Sequence, residues 1–259
     1  MYDENNEHYE EKDMSENSKD RKQRKISSKK LLFGAFFAVM AVLFLLSPFF
    51  SVKNIEVTEM ERYTRDEILS MAGISEGMNI FAFSAIKKEL DLEENTYFEK
   101  VNISRKFPNT LKIEIKERLA RGYVPYMGSY LYIDEYGRVL EISSGFTKQL
   151  PVVRGLTFDS FTIGEKIDAD NTDAFNVMVI IAQMMTKYEV LGEVVEIDVS
   201  DTSRIMAYVG NIEINLGDIS DCDRKIRTMG EIIKKIPEGD RGTLDLSDLS
   251  KPLVFKYLT

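Results

Sequence analysis

The chain has 259 residues, 44% hydrophobic and 30% charged, ordinary proportions for a polypeptide able to build a core. Its formal net charge of -9 is unevenly placed: residues 1–30 hold eight acids and eight bases, so the whole deficit lies beyond residue 50 and argues against nucleic acid as a ligand. The one cysteine, Cys222, excludes an intrachain disulfide, and the one histidine, His8, keeps histidine catalysis and histidine-rich zinc sites out of the remainder.

In chain order, residues 1–20 are acidic and lack apolar periodicity, which predicts a disordered tail. Arg21, Lys22, Arg24, Lys25, Lys29 and Lys30 follow. From Leu31 to Phe50, 17 of 20 residues are apolar and none is charged. Twenty helical residues reach about 30 Å, the thickness of a bilayer's hydrocarbon core. The basic cluster before this run places the N-terminus in the cytoplasm and residues 51–259 outside. A cleaved signal peptide is the rival reading, but the core is long, a 30-residue tail precedes it, and no small-residue cleavage site follows.

Val52–Val57 alternates as a short strand. Thr64 through Glu67 forms a capping box ahead of Ile68, Leu69 and Ala72, with Gly73 just past the end, predicting a two-turn helix. Ser84 caps a second helix that sets Ile86 and Leu90 on one face. Val101 and Ile103 share the inner face of a strand, and Phe107-Pro108-Asn109-Thr110 makes a turn. Leu111, Ile113 and Ile115 then alternate with Lys112, Glu114 and Lys116 in the clearest strand of the sequence. The order β-α-α-β-β predicts two helices on one face of a three-stranded sheet.

A second block starts near Gly122. Tyr130–Ile133 and Arg138–Ile142 flank an Asp134-to-Gly137 turn as a hairpin. Leu150 through Gly155 is a short apolar run. Helical spacing recurs from Asp173 to Tyr188 and again through Cys222, Ile226, Met229, Ile233 and Ile236. Strands are expected at Val194–Val199, Ile205–Val209, Ile212–Leu216, Thr243–Ser247 and Leu253–Tyr257. The fold class is therefore α+β, with a mixed β-sheet domain at the C-terminal end.

Several passages resemble the FtsQ/DivIB family of bacterial division proteins. They are Val101 through Leu111 continuing to Ile113, Ile115, Glu117 and Arg118; Ala72-Gly73 with Gly77-Met78-Asn79-Ile80-Phe81; Ile133 through Gly137; Leu150-Pro151 with Gly155; and Leu244 through Ser247. The resemblance covers about residues 30–257, and the order of these passages carries it. It implies a tail at 1–30, a transmembrane helix at 31–50, a POTRA domain at 51–119 and the family's β domain at 120–259. It further implies a non-catalytic divisome scaffold at the septum that binds FtsB/DivIC-type and FtsL-type membrane proteins and needs no cofactor. Some relatives carry a long C-terminal extension; this sequence ends at Thr259, and no function of such an extension is expected.

Leu253, Val254, Phe255, Lys256 and Tyr257 are the candidate partner-binding strand. A final strand tends to be an edge, open to strand addition by another chain, and Pro252 suits an edge because it removes a donor. Read without the resemblance, they are ordinary core strand. Arg105, Pro108, Glu117 and Arg118 form a candidate recruitment surface, against which stands a purely structural reading. Cys222 on an apolar stripe reads as a buried, inert thiol, and Asn102-Ile103-Ser104 matches a glycosylation sequon only in mid-strand. No metal site is expected. A membrane-tethered sensor or assembly protein of another envelope process is the alternative function, with a wall hydrolase further behind, since no phosphate loop, Gly-x-Ser-x-Gly or metal-spaced ligand set occurs.

Overall fold

The computed structural model describes residues 28–237 and 239–258; the expected disordered tail, residues 1–20, lies outside them. Helix α1 (Ser28–Leu45) is apolar on every side, and its apolar side chains are exposed along its length. The expected unbroken helix over 31–50 is corrected by Pro48. The residue before a proline is driven out of the helical region, and Ser47 is extended (ψ 157°), so Leu46–Ser47 turn and Pro48–Phe50 form a single 3-10 turn. Among the described residues no helix is long and apolar enough to cross a membrane.

The first sheet has three strands in the order β1-β3-β2: β1 (Asn54–Val57), β2 (Phe98–Lys106) and β3 (Thr110–Glu117). β3 is central, parallel to β1 and antiparallel to β2. Strand alternation sends Leu111, Ile113 and Ile115 inward to meet Ile55, Val101 and Ile103, all buried. Helix α2 (Arg65–Ala72) begins and ends as its residues dictate. The Thr64 hydroxyl accepts from Glu67 N, the Glu67 carboxylate accepts from Thr64 N, and Gly73 turns left-handed at φ +58°.

Helix α3 (Ala85–Glu93) is capped by Ser84 as expected, but Ile86 and Leu90 are 69% and 60% exposed while Leu92 is buried. Ile86 and Leu90 do share one face, and that face is the outward one. Glu89 and Glu93 explain the orientation: their carboxylates accept from Ile103 N at 2.6 Å and Val101 N at 2.8 Å, the outward N–H groups of edge strand β2. Lying along that edge, α3 turns Ile86 and Leu90 to the outside.

The second sheet has nine strands in the order β12-β11-β10-β9-β8-β7-β4-β5-β6. They are β4 (Gly122–Tyr126), β5 (Ser129–Ile133), β6 (Val139–Ser143), β7 (Val152–Arg154), β8 (Glu196–Asp198), β9 (Ile205–Val209), β10 (Ile212–Gly217), β11 (Gly242–Asp245) and β12 (Phe255–Tyr257). Helices α4 (Thr172–Lys187) and α5 (Cys222–Ile233) pack on it and on each other. Their apolar stripes, Ala174, Val177, Met178, Ile181 and Met185 with Ile226, Met229 and Ile233, share one core with Val124, Leu131, Ile133, Val139, Ile197, Ala207 and Ile214.

Strands β4 to β6 are covered on both faces. Val124, Leu131, Ile133 and Val139 join the helix-side core, whereas Tyr123, Tyr132 and Leu140, their neighbours in sequence, join the core of the first sheet. Alternation makes this unavoidable, because successive side chains on a strand point to opposite faces. The two sheets are thereby cemented through β4–β6.

Candidate functional site

Strand β12 is the outermost strand of the large sheet, held among the described residues on one side only, by antiparallel pairing to β11 through Gly242↔Tyr257, Thr243↔Lys256 and Leu244↔Phe255. It is shorter than the expected 253–257: Leu253 and Val254 lead into it as exposed, unpaired chain. Phe255 packs on the core and presses its ring over Gly242, where an added Cβ would lie 2.3 Å from Phe255 Cζ. Tyr257 stacks edge-on to Phe255 at 4.7 Å and is otherwise exposed. On the opposite face Val254 and Lys256 line a groove of about 240 Å³ with Met206, Asn215, Thr243 and Asp245. The edge thus offers apolar side chains on one face and a mixed polar groove on the other. An open strand edge of this kind accepts a further strand through backbone hydrogen bonds.

The Asp245 and Asp248 turns support this edge. The Asp248 carboxylate accepts from Ser250 N and Oγ and pairs with Lys251, which holds it down at about 2, and Ser247 likewise lowers Asp245. Each carboxylate caps a backbone N–H two residues on, the local turn these residues favour. Asp198 does the same for Ser200, and Asp134 for Tyr136 and Arg138. These aspartates shape turns.

The four candidate recruitment residues do not form one surface. Arg105 and Pro108 lie at one end of the small sheet; Glu117 and Arg118 lie at the other, separated by the length of β3, roughly 25 Å. Arg105 donates to Ile80 O at 2.8 Å and Phe83 O at 2.9 Å, fastening the loop before α3. Glu117 accepts from Glu61 N and Arg62 N, and Arg118 donates to Thr96 O and Phe98 O. Cys222 opens α5, with burial pushing its thiol up to about 11.

Glu117 and Arg118 border a feature that the sequence did not disclose. A cleft of about 230 Å³ lies between the sheets, lined among others by Glu61, Arg62, Tyr97, Tyr132 and Lys148. Arg62 pairs with Glu141 at 2.7 Å, Lys148 with Glu61 at 2.8 Å, and the Thr96 hydroxyl donates to Leu140 O at 2.7 Å. The buried Tyr97 hydroxyl has no hydrogen-bond partner among the described residues, and burial pushes its pKa up. The one signal available beforehand was the unbroken apolar run Tyr130–Ile133, too apolar for a strand with a wet face.

A β-α-α-β-β module, joined at its start to an apolar helix and at its end to a nine-stranded β domain, defines the class: a POTRA-type domain followed by a C-terminal β-sheet domain. Residues 50–118 match the family described as "POTRA domain, FtsQ-type", and residues 124–241 match "FtsQ/DivIB, C-terminal related". The chain is 28% identical over 223 residues to the cell division protein DivIB of Clostridium tetani, covering 84% of each chain. It is 24% identical to the cell division protein FtsQ of Syntrophotalea carbinolica, over 83% of this chain and 81% of that one. The solved extracytoplasmic domain of Geobacillus stearothermophilus DivIB shares 18% identity over 47% of this chain and 90% of its own, with a TM-score of 0.29. The chain belongs to the FtsQ/DivIB family of bacterial cell division proteins.

Proposed function

We propose that this protein is a non-catalytic scaffold of the bacterial divisome, anchored in the cell membrane and concentrated at the septum. In this reading residues 1–30 are a cytoplasmic tail, 51–119 the POTRA domain and 120–259 the β domain, both outside the cytoplasm. The observation that carries the assembly role is the terminal edge: among the described residues β12 has no strand on its outer side, and Leu253 and Val254 before it and Tyr257 within it are exposed. FtsB/DivIC-type proteins, paired with FtsL-type ones, are the proposed occupants, adding a strand to β12.

Anchoring is supported by the character of α1. A helix apolar all round belongs in a core or a membrane, and α1 exposes its apolar side chains throughout. Leu31–Leu45 alone gives about 22 Å of helix. The apolar turn Leu46–Phe50 extends the run toward the roughly 30 Å of hydrocarbon, with Lys29 and Lys30 placed to reach the cytoplasmic headgroups. Confinement to a membrane raises local concentration, so modest contacts through the helix, the POTRA domain and β12 combine into stable assembly.

Val254→Asp and Tyr257→Asp test the docking edge better than changes at Phe255, whose ring is packed on Gly242. Capture of a purified DivIC-type partner by the folded variants is expected to fall at least about tenfold, equivalent to 1.4 kcal/mol. Unchanged capture by both variants refutes strand addition at β12.

A further inference from the structure

The end of the POTRA domain where Arg105 and Pro108 lie is fused to the end of α1 rather than tethered to it. Asn79 Nδ2 donates to Leu45 O at 2.8 Å, while Asn79 Oδ1 accepts from Phe81 N at 2.9 Å. The segment after Pro48 then runs against the loop before α3. Ile80 N donates to Phe50 O, Val52 N to Met78 O, Gly77 N to Val52 O, and Ser51 Oγ to Gly77 O, all between 2.7 and 2.9 Å. No free linker separates helix and domain.

Along this junction the apolar surface of α1 continues onto the domain as a file of rings. Phe44 meets Phe50 at 5.3 Å, Phe49 meets Phe50 at 5.1 Å, Phe50 meets Phe81 at 5.2 Å, and Phe81 stacks on Phe107 at 5.5 Å. Phe50 is half-buried and forms the keystone, whereas Phe49, Phe81 and Phe107 are 57%, 40% and 61% exposed. Their backbones are firmly held. Arg105 fastens Ile80 and Phe83, and Lys53 N donates to Asn109 O at 2.8 Å, closing the β2–β3 turn against the start of β1.

We infer that Phe49, Phe81 and Phe107 form an aromatic collar that seats the POTRA domain in the interfacial layer of the outer leaflet, so that α1 and this domain enter the bilayer as one rigid unit. The inference rests on the anchor reading above. Lipid is the occupant because the file starts within the apolar cylinder of α1 and leaves it without a break. Phe107, stacked on Phe81, which in turn meets Phe50 edge-on, sits at the depth where the helix exits. Aromatic side chains with an apolar body are favoured at that boundary. Arg105 and Pro108 acquire a part in this reading: they position the two loops that carry Phe81 and Phe107. From the collar at Thr110, β3 leads directly to the seam at Glu117, so the collar also fixes where the β domain starts relative to the membrane.

The chain contains no tryptophan, so single substitutions give clean fluorescent reporters. Full-length Phe37→Trp, Phe81→Trp, Phe107→Trp and Phe146→Trp variants are reconstituted into phosphatidylglycerol–phosphatidylethanolamine vesicles carrying brominated acyl chains. Phe37 lies in α1 and Phe146 on the β domain against Tyr123. Positions 37, 81 and 107 are expected to lose most of their emission to the bromines, with shallow bromines acting best on 81 and 107, while 146 is spared. Quenching at 37 with none above the level of 146 at both 81 and 107 overturns the collar and leaves the anchor standing. Absence of quenching at 37 overturns the anchor and the collar together. Protein-concentration-dependent shielding at 81 and 107 without quenching assigns the patch to protein contact and also overturns the lipid assignment.

Discussion

The Arg62 guanidinium, in the loop between β1 and α2, meets the Glu141 carboxylate of β6 in the large sheet at 2.7 Å, and the same guanidinium lies 4.0 Å from the centre of the buried Tyr97 ring. Beneath this pair Tyr132 is 1% exposed, packs on Tyr123 at 4.6 Å and donates to Gly145 O at 2.6 Å. Packing therefore carries more of the seam's stability than charge. Tyr132→Ala is expected to cost about 3–5 kcal/mol by urea denaturation in detergent. Arg62→Ala, whose side chain is partly solvated, is expected to cost under about 1 kcal/mol. Equal losses from the two substitutions would show that the ion pair, and not the tyrosines, holds the domains together.

Gly242 is the seat of β12. An added Cβ would meet Phe255 Cζ at 2.3 Å and Lys256 O at 2.6 Å, one of them backbone that cannot swing aside. Gly242→Ala is expected to detach the last strand at a cost of about 1–3 kcal/mol. Hydrogen exchange would speed up at Leu258 N, which donates to Arg241 O, while Ile214 in β10 stays protected. Unchanged exchange at Leu258 would mean that β12 tolerates the methyl group.

Acid should weaken the β domain in a defined window. Asp248 is lowered to about 2 by Ser250, and Asp201, Asp218 and Asp245 are lowered in the same way by Ser203, Ser220 and Ser247. A carboxylate depressed in the folded state stabilises fully above its unfolded value, about 3.9, and less as pH falls through the folded value. The melting temperature should hold from pH 7 to about 5 and then fall as pH drops from about 4 toward 2. Asp248→Asn should flatten the lowest part of that fall.

Cys222 should be a slow thiol. Burial raises it from 9.0 to about 11. At pH 8 the thiolate population is then roughly 100-fold below that of the unfolded chain. Iodoacetamide should label native protein correspondingly more slowly than protein in urea, and comparable rates would place the thiol in solvent.

What could be read from the residues alone was everything decided within a few positions. Thr64, Glu67 and Gly73 mark the ends of α2 because caps act over one turn. Leu111, Ile113 and Ile115 mark β3 because a strand declares its faces by alternation, and the stripes of α4 and α5 by their 3–4 spacing. Family membership followed from the order of short passages. Hidden from that reading was whatever depends on which surfaces meet. The face of α3 that turns inward was set by two carboxylates reaching the edge of β2, and the break in α1 by the docking of Phe50 and Asn79 as well as by Pro48. Tyr97, Tyr123 and Tyr132 became a seam only when two sheets closed on them. The placement of β12 at the rim required the order of nine strands. Local propensities act along the chain and are legible there. The pairing of distant surfaces is chosen by the total area and hydrogen bonding that closure satisfies, and no short stretch of sequence carries that sum.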